Sequence, residues 1–179
     1  MPPVTPPSPP APSQFIYYIG GQDSSGDALA TTEYIDLSTG AVADGPSMGT
    51  ARWDVSCVAM EGNTALATAG YTGNARLTTI EQLPLQSSDS WSTWSSGLTV
   101  SRNHHGAAVD GTDVYIFGGQ QDGTFTASVE RCNSTSCISR APLPSARKSV
   151  RAAKLGDYLY DLGGITSVSY THLTLPTKA

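Results

Sequence analysis

From Phe15 onward the chain falls into short apolar and β-branched runs of four to six residues, separated by turns rich in Gly, Asp, Ser and Asn; this is the pattern of strands. The clearest stretch runs from Arg102 to Gly119. Residues 105–109 and 114–117 are β-prone, Asp110-Gly111-Thr112-Asp113 between them has hairpin-turn chemistry, and the unit closes on Gly118-Gly119. Arg52 leads in the same way through 56–60, the turn Glu61-Gly62-Asn63 and 65–69 to Gly70. Arg147 leads through 150–155, the turn Gly156-Asp157 and 158–162 to Gly163-Gly164, and 15–19 followed by Gly20-Gly21 keeps the end of a further copy. Gly21, Gly70, Gly119 and Gly164 are separated by 49, 49 and 45 residues. A period of this length marks a repeat architecture.

Two more strands follow each glycine pair: 31–37 and 41–43, then 77–83 and 91–94, then 127–132 and a short strand from Cys137. Four antiparallel strands per repeat is the pattern of propeller blades. The glycine pair closing the second strand, the Arg before the first and an aromatic near the hairpin resemble kelch repeats. The middle copy carries Arg102, His105, Tyr115 and Gly118-Gly119, with Trp91 upstream. The other copies depart from it: Val42 and Cys137 stand at the Trp position, Val55 and Val150 at the His position, and Ala69 at the first Gly. The resemblance covers 15–164 and implies an all-β fold of kelch-type β-propeller blades.

The blades are expected at 15–45 (partial), 52–97, 102–140 and 147–164 (partial), with three, four, four and two strands. A ring of at least four complete blades cannot close from these thirteen, so an incomplete ring with exposed sheet faces is expected. Inner strands covered on both faces should be small or apolar, as 65–69, 106–109 and 150–153 are, with Arg151 the exception. Trp91 and Tyr115 are expected to fill the space between blades, contributing about 1.5–3 kcal/mol each when buried.

The flanks read differently. Residues 1–14 hold seven of the twelve prolines and no charge, the pattern of a disordered or polyproline II lead-in. Residues 165–179 are set apart as a tail; from Val168 it has no counterpart in the repeats and resembles translated sequencing-adapter sequence, so His172 is given no role. No apolar run approaches the length of a membrane helix, and the N-terminus shows no secretory leader. Cys57, Cys132 and Cys137 have no metal-binding spacing and, as an odd number, suit a reducing compartment. A cytoplasmic location with reduced thiols is therefore the expectation, and the sequon Asn133-Ser134-Thr135 is read as a turn.

Candidate chemistry narrows the field further. A net charge of −5 without a Lys/Arg cluster argues against nucleic acid. Residues 21–27 have phosphate-loop glycine spacing but lack the Lys and the following helix. As neighbours on a strand, His104 and His105 would face opposite ways and could not chelate one metal; His105 is expected to be buried and hydrogen-bonded, and His104 to sit in the loop before the strand, facing solvent. No cofactor or metal is implied. In kelch substrate adaptors of ubiquitin ligases, the motif Arg and the two residues after it hold acidic peptides. That resemblance points to Arg52, Trp53, Arg102, Asn103, His104, Arg147, Lys148 and Ser149 as partner-binding residues, in keeping with the bidentate grip of Arg on carboxylates. The alternative for the arginines is that they only bond the carbonyls of a neighbouring blade. The expected function is a protein-interaction module for a protein or acidic peptide, without catalysis. Kelch-like carbohydrate oxidases and sugar epimerases supply the enzymatic alternative, by analogy of fold alone.

Overall fold

Alternating strands and tight turns assemble into radially arranged antiparallel sheets in a computed structural model that describes residues 14–85 and 90–166. β1 (Phe15–Ile19), β2 (Thr32–Asp36) and β3 (Val42–Gly45) form the first blade. β4 (Ser56–Met60), β5 (Thr64–Thr68), β6 (Ile80–Pro84) and β7 (Ser92–Thr93) form the second, in chain order. The third contains β8 (Gly106–Asp110) and β9 (Asp113–Phe117), then a small loop hairpin of β10 (Gln120–Gln121) and β11 (Thr124–Phe125), then β12 (Val129–Cys132) and β13 (Cys137–Arg140). In the last, β14 (Arg147–Lys148) precedes the hairpin of β15 (Arg151–Leu155) and β16 (Tyr158–Leu162), and β17 (Ile165–Thr166) returns to pair with β14. Ile165 and Thr166, grouped with the tail on sequence, therefore belong to this blade. The lead-in at 1–13, the turn at 86–89 and the tail from residue 167 lie outside the described residues.

The third blade has the spatial order β13-β12-β9-β8, with β8 innermost, between β4 and β15. Core residues gather between blades. Met48, Ala65, Ala67, Leu83 and Trp91 pack where the first blade meets the second. Leu66, Ile80, Trp94, Val114, Ile116 and the two sulfur-bearing residues Cys132 and Cys137 fill the next interface. Ala108, Phe117 and Val129 pack with Ala152 and Leu159 at the last. Trp91 bridges two blades as anticipated, its indole N–H donating to the Pro46 carbonyl at 2.9 Å and to Thr32 Oγ1 at 3.1 Å. The ring is open: Phe15, Ile16 and Tyr18 at one end, and Tyr158, Leu162 and Ile165 at the other, are exposed.

The repeat that is visible in sequence is also the joint between blades. The N–H groups of Gly21, Gly70 and Gly119 donate to the carbonyls of Arg52, Arg102 and Arg147, each in the following blade, at 2.9, 2.9 and 2.8 Å. At the joint of the third blade a side chain has no room. A Cβ on Gly118 would lie 2.7 Å from the Arg147 carbonyl oxygen, and Gly118 and Gly119 hold φ of 55° and 105°. Glycine is required there for conformation and for space alike.

Cys132 and Cys137 correct the expectation of reduced thiols. The pair faces across β12 and β13 in register, with Cα atoms 4.0 Å apart, and forms a disulfide. The Asn133 N–H donates to the Ser136 carbonyl in the turn, so the cysteines occupy the adjacent close, non-hydrogen-bonded position of the ladder. Sequence separation alone does not reveal this, because the register depends on where the turn falls.

Candidate functional site

The inner strands β4, β8 and β15 are each entered through an Arg-led segment, and these three segments meet at one end of the arc. The third residue of each, Asp54, His104 and Ser149, has positive φ: 51°, 54° and 56°. Such conformations are costly for residues with side chains and persist where surrounding contacts impose them. The contacts here run from blade to blade. The His104 N–H donates to the Asp54 carbonyl at 3.2 Å, and the Ser149 N–H donates to the His104 carbonyl at 2.7 Å. A cavity of about 280 Å³ opens beside them, lined by Asp54, Cys57, His104, His105, Ser149 and Arg151 among others.

The arginines lie behind this surface. Arg52 and Arg102 have no exposed area. Arg102 donates to the Gly118 and Ser128 carbonyls at 3.0 and 3.1 Å and pairs with Glu130 at 2.6 Å; Arg52 donates to the Ala69 and Thr79 carbonyls and pairs with Glu81. Those carbonyls belong to the Arg's own blade, not a neighbouring one. Each glutamate also accepts backbone N–H groups from the segment before its Arg, Gly49 and Thr50 for Glu81, Thr99 and Val100 for Glu130. Every guanidinium bond is thus spent on holding the blade together, which assigns Arg52 and Arg102 a framing role instead of partner contact. Arg147 is half-buried and bonds the Gly163 carbonyl and Ser145, with Asp161 3.9 Å away.

The residues after the arginines form a linked network, half-buried at Trp53, Asp54, His104, Lys148 and Ser149 and buried at Asn103. Trp53 bridges to Tyr71 and packs edge-on against its ring, over which the Arg76 guanidinium lies 5.4 Å from the centroid. Arg76 Nε donates to Asn103 Oδ1 at 2.9 Å, and Asn103 Nδ2 donates to Asp54 Oδ2 at 3.1 Å. His104 Nε2 meets the same carboxylate oxygen at 2.8 Å. Lys148 lies over the Phe125 ring at 5.0 Å. Burial holds the His104 imidazole below the ordinary histidine value; Asp54 opposes this, while Lys148, Arg76 and Arg151 reinforce it.

His105, one residue on, turns the other way and is buried. The Thr68 hydroxyl donates to the Ser56 carbonyl and therefore accepts from His105 Nε2–H at 2.8 Å, tying β8 to the second blade. Burial first, then the nearby Arg102, lowers its pKa to about 3.

Asp54, Arg76 and Arg151 are members of this surface that the motif did not single out. Asp54 could have been found by carrying the repeat register one residue further, since it matches His104 and Ser149. Arg76 comes from the loop after Gly70 and has no sequence signal. The glutamates had one: Glu81 and Glu130, with the exposed Glu33 in β2, occupy equivalent strand positions.

This stacking of antiparallel sheets about an axis, two of them four-stranded, with interior Arg and glycine joints, defines a β-propeller arc of the kelch type. The Kelch motif matches residues 101–131. A solved structure titled "Structure of YjhT" superposes with a TM-score of 0.72 at 14% sequence identity, covering 85% of this chain and 58% of that one. The chain thus spans under two thirds of that neighbour's length, and the likeness is one of fold. No curated protein matches in sequence.

Proposed function

We propose that the chain is a protein-interaction module whose axial surface takes an acidic peptide. One observation carries this reading: around His104 the structure gathers Arg76, Lys148 and Arg151 against the carboxylate of Asp54, although the chain as a whole is net negative. A cationic patch on an acidic protein selects for opposite charge and speeds encounter with it. Trp53, His104, Lys148 and Ser149 remain the proposed contact residues, joined by Asp54, Arg76 and Arg151, while Asn103, buried, orders Arg76 and Asp54 from beneath. Arg52 and Arg102 support the surface from behind.

The test is binding of a fluorescent peptide rich in Asp and Glu, compared with a Lys-rich peptide of equal length. Lys148→Glu and Arg151→Glu should each weaken the acidic peptide about fivefold or more and leave the fold intact. Equal affinity for both peptides, or no loss in either variant, would remove the proposed surface.

A further inference from the structure

The hairpin that closes the third blade joins two features that sequence left apart. Of the four asparagines in the chain, Asn63, Asn74, Asn103 and Asn133, only Asn133 is followed by the N-x-[ST] arrangement, as Asn133-Ser134-Thr135. The cysteines on either side of it, Cys132 and Cys137, are bonded to each other. Both lie buried in the interface between the second and third blades, where soluble reductants have poor access. Stable structural disulfides belong to oxidising compartments, and the same compartments in eukaryotic cells are where N-x-[ST] sites acquire sugar.

The turn presents its acceptor correctly. Asn133 Oδ1 accepts the backbone N–H groups of Thr135 and Ser136, both at 2.9 Å, and these bonds fix the amide in an Asx-type turn. The carbonyl side of the half-buried Asn133 amide is committed to the turn; Nδ2 donates to none of the described residues. Ser134 and Thr135 are exposed. The position is also compatible with the axial surface. Cys132 stands opposite Val114, so the 133–136 turn sits beside the Asp110–Asp113 turn, at the end of the blade away from Arg102 and His104.

We infer that Asn133 is an N-linked glycosylation site and that this protein passes through an oxidising, secretory compartment. In the modification, Asn133 Nδ2 forms a bond to the anomeric carbon of a lipid-linked oligosaccharyl diphosphate. The bond from that carbon to the phosphate oxygen breaks, the lipid diphosphate leaves with the electron pair, and the amide proton passes to a base. This location replaces the cytoplasmic expectation, which rested on the absence of a visible leader and on reduced thiols.

Mass spectrometry of the protein isolated from its own cells, alkylated before and after reduction, tests the inference. The expected result is a peptide containing residue 133 that loses mass on treatment with peptide-N-glycosidase and emerges with Asp at that position. Cys132 and Cys137 should become alkylated only after reduction. Thr135→Ala retains the backbone bonds to Asn133 Oδ1 and should abolish the sugar completely. An Asn133 that carries no sugar in the isolated protein overturns the proposal whatever the state of the sulfurs, and so does sugar retained in Thr135→Ala.

Discussion

His104 Nε2 lies 2.8 Å from Asp54 Oδ2, joining equivalent positions of neighbouring blades, both held at positive φ. The pair makes the charge of the axial surface dependent on pH. Because burial and three cations hold the His104 pKa below 6.5, the ring is neutral at pH 7.5 and gains its proton only at a lower pH. Protonation adds positive charge beside Arg76, Lys148 and Arg151. The affinity for an acidic peptide should therefore rise as pH falls below 6.5, by roughly three- to fivefold, the scale of one partly exposed charge, while the peptide carboxylates stay ionised down to about pH 4. Peptide titrations at pH 7.5, 6.5 and 5.5 measure this. His104→Asn should flatten the profile, and Asp54→Asn should tighten binding at every pH. A wild-type profile as flat as that of His104→Asn would separate this pair from binding.

Arg102 and Glu130 form a different kind of pair, fully enclosed and bonded on all sides. Removing one member leaves the other charge buried without its partner, which costs about 3–5 kcal/mol. Arg102→Ala should therefore lower the denaturant midpoint of unfolding sharply, and Glu130→Ala should do the same. Lys148→Ala, on the partly exposed surface, should move it by less than about 0.5 kcal/mol. Denaturation curves of the three variants with an unchanged slope would give the comparison directly. A midpoint for Arg102→Ala within that smaller margin would contradict the framing role. The contrast also decides how binding data are read, since a loss of partner in Arg102→Ala would report unfolding.

The blades were legible because the repeat is written twice in the sequence, once in turn chemistry and once in the glycine pairs. The glycines at 21, 70 and 119 recur because each holds a positive φ, 119°, 103° and 105°, while its N–H meets the carbonyl of the next blade's Arg. The short strands β10, β11, β14 and β17 were not legible: two residues carry no periodicity, and their pairing is decided by loop closure. The role of the arginines was ambiguous for a related reason. Their spacing is the same whether the side chain reaches out to a peptide or inward to Glu81 and Glu130, and only packing distinguishes the two. Cys132 and Cys137 show the same limit, since one residue of register in the turn would have set their side chains on opposite faces.

His105 gives the arc a built-in sensitivity to acid. Its pKa is about 3 in the folded state, lowered chiefly by burial, against about 6.5 in an unfolded chain. The unfolded state therefore binds a proton that the folded state refuses, and stability must fall as pH drops through the window from 6.5 to about 3. Above 6.5 the imidazole is neutral in both states and the contribution is complete; below about 3 both states are charged and the loss levels off. Linkage over that window gives a loss of about 2 kcal/mol between pH 7 and pH 5 from this residue. Replacing it tests the sign as well as the size. His105→Gln can still donate toward Thr68 but cannot titrate, so it should start less stable at pH 7 through poorer packing and lose much less on acidification. Thermal or urea unfolding of both proteins at pH 7, 6 and 5 would show the two curves converging as pH falls. Parallel curves would mean that another group carries the acid sensitivity and that the Thr68–His105 link between blades is not coupled to protonation.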